Sequence, residues 1–129
     1  MKIKDVLLEN KILERKELVT KFLSFCKEEL GLDSIPKISL LLDKDYSVEH
    51  HSFGGYNPED KSIRLAISDR HPVDILRTLA HELVHYRQDM LGELTPTSGE
   101  TGSDHENEAN SMAGIIMRNF GKDNPEIYE

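Results

Sequence analysis

The chain has 129 residues, 37% of them apolar and 31% charged; it is long enough to bury a core without staples and is expected to form a single domain, residues 1–129. Its formal net charge of −8 argues against the clustered Lys and Arg that non-specific nucleic-acid binding requires, so nucleic acid is not an expected partner. No apolar run reaches membrane-spanning length, residues 1–5 lack a signal-peptide layout and Cys26 is the one cysteine, which excludes an internal disulfide and leads to the expectation of a cytoplasmic protein without a membrane partner.

Residues 4–30 carry apolar side chains at Val6, Leu7, Ile12, Leu13, Leu18, Val19, Phe22, Phe25, Cys26 and Leu30, with Lys and Glu between them. Spacings of three and four predict an amphipathic helix that covers the core, with Asn10 as a point where it can break. Cys26, among Phe22, Leu23 and Phe25, reads as a small core residue. Gly31 supplies the helix stop and Pro36 shows that the chain has left it.

Residues 38–42 form a short β-favourable run that predicts a strand buried on both faces, ended by Asp43, Lys44 and Asp45. His50 and His51 read as solvent-exposed loop residues. Residues 52–56, a turn at 57–60 and residues 62–67 predict a strand, a turn and a strand, the last with Ile63, Leu65 and Ile67 alternating against Ser62, Arg64 and Ala66. The pair Gly54-Gly55 marks a bend or a close approach by another segment. These strands predict an α+β fold with a small mixed or antiparallel sheet of about three strands.

Residues 72–91 predict a helix opened by Pro72, with Asp74 near the positive end of its dipole, and closed by Gly92. Ile75, Leu76, Leu79, Leu83 and Val84 bury it on much of its circumference, which belongs to the middle of a domain. Residues 92–103 are polar and rich in turn formers, long for a tight link between helices, and are expected to border a functional site. A last helix over about 104–120 has its apolar face at Ala109, Met112, Ala113, Ile116, Met117 and Phe120.

Inside the central helix lies His81-Glu82-Leu83-Val84-His85. Residues four apart on a helix share a face, so the two imidazoles can aim at one point and supply half of a tetrahedral zinc site. Glu82 is placed to reach a water on that metal and take its proton. A zinc site of this kind needs a third protein ligand. Stepping back about 100° per residue from the apolar face of the last helix puts Glu106 at its edge and Glu108 well to one side. A carboxylate on a buried face must be paired, protonated or metal-bound. Glu106 is therefore the favoured third ligand and Glu108 the reserve. Glu106 is also the last residue of a capping box begun by Ser103, a competing role. Asn110, one turn on, is placed to hydrogen-bond a ligand histidine.

His81-Glu82-x-x-His85 followed by Glu106-x-x-Ala109-Asn110 resembles the gluzincin branch of zinc metallopeptidases, above all its small single-domain members: the minigluzincins and short metallopeptidase-like proteins of phages and bacteria. The later motif of that branch usually ends in Asp where this chain has Asn110, which can accept a hydrogen bond but adds no charge. The specific motifs span only residues 81–110. The resemblance implies a minimal zincin-like domain, with the sheet packed on the N-terminal helix, a central active-site helix and a C-terminal ligand-bearing helix. It implies Zn2+ on His81, His85 and Glu106, and Glu82 as general base in peptide-bond hydrolysis. It also implies a donor to the developing oxyanion, for which Tyr56 and His105 are both candidates. The implied partner is a peptide or protein substrate, paired with an edge among residues 53–56 or 62–67. Two other classes compete: a catalytically weak or inactive zinc-stabilised binding or regulatory module, and a deformylase-like amidase. Retention of Glu82 speaks against the first, and the context of Cys26 against the second, which uses a cysteine ligand.

Overall fold

The computed structural model describes residues 3–42, 53–98 and 100–129. The expected end of the first strand at Asp43, Lys44 and Asp45, the start of the second at Ser52, and the loop at His50 and His51 lie outside the described residues. Within them the fold is α+β, with three helices, a three-stranded mixed sheet and a final short 3₁₀ helix, Pro125–Tyr128.

Helix α1, Ile3–Leu30, runs through Asn10 without a break. No Gly or Pro lies within it, and one Asn is too small a penalty to interrupt a helix of this length. It ends as Gly31 turns to φ 63°, with Leu32 N–H bonded to Lys27 O and Gly31 N–H to Glu28 O, the paired bonds of a Schellman stop. In its second half Val19, Phe22, Cys26 and Leu30 are buried, whereas nearer its start Ile3 and Leu13 are 80% and 56% exposed.

Strands β1 (Lys37–Leu41), β2 (Gly54–Asn57) and β3 (Ser62–Ala66) are ordered β1-β3-β2, with β1 parallel and β2 antiparallel to β3. The centre is therefore β3, where Ile63, Leu65 and Ala66 are buried and Arg64 is exposed. The expectation of full burial for β1 is corrected: it is an edge strand, half-buried along residues 38–41. A short apolar run reads the same whether its strand is central or lateral. In the turn after β2, Asn57 Oδ1 accepts from Glu59 N–H at 2.9 Å, and Lys61 at φ 53° carries the chain into β3.

Helix α2, Pro72–Met90, is capped by His71, whose Nδ1 accepts from Val73 N–H at 3.1 Å. Its end repeats the stop of α1: Gly92 has φ 71°, Glu93 N–H bonds Gln88 O and Gly92 N–H bonds Asp89 O. It packs against α1, β2, β3 and the third helix, α3 (Asp104–Asp123). Ile75, Leu76, Leu79, Ala80, Leu83 and Val84 are at most 1% exposed. Phe22 and Phe25 of α1 meet Phe120 of α3 edge-on, at 5.0 and 5.3 Å between ring centroids. Among the described residues no helix is long and apolar enough to cross a membrane.

Candidate metal centre

On α2, His81, His85 and Asp89 stand one turn apart and meet β2 and the start of α3, Asp89 through Tyr56 and the histidines through Glu106. The two imidazoles stand edge-on, 4.8 Å apart between centroids, with their Nε2 atoms 3.2 Å apart. Ser103 caps α3 by accepting from Glu106 N–H at 3.1 Å, which fixes the first turn beside them. The Glu106 carboxylate does not close a capping box, because Ser103 N–H bonds Glu100 O. It spans the histidines instead, Oε1 at 2.9 Å from His81 Nε2 and Oε2 at 3.0 Å from His85 Nε2.

The donor atoms of His81, His85 and Glu106 all lie within 4.8 Å of one another, a grouping that can hold a metal ion. His85 Nδ1 is engaged by Gln88 Oε1 at 2.8 Å, so a neutral His85 presents an Nε2 lone pair to the carboxylate. Two lone-pair atoms 3.0 Å apart repel unless a proton or cation lies among them, and two nitrogens with one carboxylate suit zinc. Glu108 lies apart from this group, its Oε1 accepting from Gln88 Nε2 at 2.9 Å. Asn110 is exposed. The hydrogen-bonding neighbour of His85 is Gln88, which the sequence reading passed over: its i+3 spacing from His85 was the available signal.

Glu82 is partly buried beside both histidines and accepts a hydrogen bond from the backbone N–H of Tyr56 in β2. Burial pushes its carboxyl pKa upward, the neighbouring His81 and His85 pull it down, and the Glu106 charge adds to the rise. The phenol of Tyr56 is held protonated, first by desolvation and then by its bond to Asp89. His105 turns Nδ1 to Ser98 Oγ at 2.6 Å.

Two depressions meet at this cluster. One, of about 640 Å³, is walled by Gly55, Tyr56, Leu94, Thr95 and Pro96, so the polar connection after α2 does border the cluster. The other, of about 680 Å³, is walled by Phe53, Arg70, Arg77 and Asn110. His81, Glu82 and Glu106 line both. Compared with family models, curated proteins and solved structures, the chain matches none of them.

Proposed function

We propose that this chain is a zinc-dependent peptidase of the gluzincin kind, with His81, His85 and Glu106 as metal ligands and Glu82 as general base. The observation that carries the reading is the convergence of two Nε2 atoms and one carboxylate within 4.8 Å, next to a further carboxylate outside the ligand set. Zinc at such a site supplies Lewis acidity, making a water acidic near neutral pH and polarising a carbonyl. Glu82 takes the proton of the attacking water and passes it to the leaving amine, after which its carboxylate is free for the next cycle. The Tyr56 N–H holds one lobe of Glu82 in place, so the other can face the cluster. Burial favours a base that works nearer neutrality than an exposed glutamate.

Strand β2 suits the task of seating an extended peptide. Ala66 N–H bonds Phe53 O at 2.9 Å, and the register pairs Gly54 with Leu65 and Tyr56 with Ile63. Alternation along an antiparallel pair then turns the backbone groups of Gly54 and Tyr56 away from β3. The Tyr56 N–H serves Glu82, and its carbonyl is the acceptor we assign to a substrate N–H. Buried, unpaired Cys26 suits a reducing, cytoplasmic setting.

The test is zinc analysis of the purified protein together with digestion of a peptide library. About one zinc per chain, lost in the H81A/H85A variant, is the expected result. A double variant that keeps its zinc would place the metal elsewhere.

A further inference from the structure

Gln88 is 1% exposed in a helix whose other buried residues are mostly apolar, and both ends of its amide are engaged. Nε2 donates to His105 O at 3.0 Å and to Glu108 Oε1 at 2.9 Å, while Oε1 lies 2.8 Å from His85 Nδ1. This pattern fixes which end of the amide is which. A backbone carbonyl and a carboxylate only accept, so the NH₂ faces them and the oxygen faces the imidazole. An amide oxygen cannot donate, so His85 Nδ1 must carry the proton. The neutral ring then offers its lone pair at Nε2, the atom turned toward His81 and Glu106.

The geometry points to Gln88 as the positioning residue of this centre: it selects the Nδ1–H tautomer of His85 and ties the two-histidine helix to the first turn of the Glu106-bearing helix. The first function is a hydrogen bond to a ligand's far nitrogen, which orients the ring and raises its basicity. The second follows from the bond to His105 O, one residue before Glu106. One side chain therefore fixes the spacing between His85 and Glu106, which are 21 positions apart in sequence. The inference rests on the proposed zinc site for its purpose, but the tautomer can be read without metal.

The experiment compares wild type, Q88L and Q88E/E108Q. Long-range ¹⁵N–¹H spectra of the metal-free proteins in an E106A background, which removes the carboxylate acceptor from His85 Nε2, read the His85 tautomer at a pH where the histidines are neutral. Competition of the Glu106-bearing proteins with a chelator reads zinc affinity. The double variant keeps an acceptor for His85 and moves the amide donor to position 108. Wild type is expected to hold Nδ1–H. Q88L is expected to shift toward Nε2–H and to lose about 10–100-fold in zinc affinity. The double variant is expected to regain the Nδ1–H form and most of that affinity, a recovery that mere filling of a buried space would not give. Q88L with the wild-type tautomer and affinity would overturn the assignment. Should Q88L not fold, the double variant decides, and an Nε2–H tautomer there would overturn it equally. Wild type that holds Nδ1–H yet binds no zinc would support the hold of Gln88 on the ring and reject the metal site alone.

Discussion

The phenol of Tyr56 donates to Asp89 Oδ2 at 2.5 Å, in the same strand position whose backbone N–H binds Glu82. One residue of β2 is thus fastened to α2 at two points, two helical turns apart. Lys61 Nζ reaches the same Asp89 oxygen at 3.2 Å, and Tyr86 packs edge-on against the Tyr56 ring at 5.8 Å between centroids. The wall of the cleft is held over its floor by side chain and backbone together.

Tyr56→Phe should therefore lower stability by about 1.5–3 kcal/mol, the worth of one hydrogen bond to a charged group, measured by denaturant unfolding. Zinc content should not change, and turnover should stay within about tenfold of wild type because the phenol is committed to Asp89. A loss of about 10²–10³-fold in turnover would instead give the phenol the role of oxyanion donor.

Glu106 and Glu108 should separate cleanly in a zinc titration. Glu106→Ala removes the carboxylate that spans both histidines and should abolish stoichiometric binding. Among the described residues Glu108 meets the cluster through Gln88, so Glu108→Ala should weaken binding by at most about tenfold. The reverse order would show that Glu108 is the ligand.

Gly54 is a glycine because nothing larger fits. A Cβ there would lie 2.8 Å from Arg64 O and 2.9 Å from Thr78 Cγ2, and the first of these is backbone inside the sheet. Gly54→Ala should cost about 1–3 kcal/mol in unfolding free energy, the usual penalty of overpacking. An unchanged unfolding midpoint would mean that β2 and α2 are not held this close.

The limits of α2 were legible because Pro72 and Gly92 act locally, one through a missing N–H and the other through a left-handed φ. The pair Gly54-Gly55 was legible as a bend or a close approach; the structure shows the close approach at Gly54, and its partner helix was not legible. Glu106 could be phased against the apolar face of α3 because helical geometry carries over a full turn from Ala109. What escaped the sequence depended on tertiary neighbours. Gln88 looks like a surface residue until α3 lies across it, and Asn110 borders the apolar face yet points outward. Whether residues 38–41 lie centrally or at an edge depends on how β3 inserts.

Glu82 separates an enzyme from a zinc-stabilised scaffold, since a structural site needs no base. Glu82→Gln keeps the shape and an acceptor for Tyr56 N–H while removing the proton-accepting charge. Matched zinc analysis and peptide turnover for wild type and variant give the most direct test. The expected result is unchanged zinc content with hydrolysis reduced by about 10²–10⁴-fold. Equal turnover in the two proteins, or no turnover by the zinc-loaded wild type on any member of a peptide library, would contradict the account.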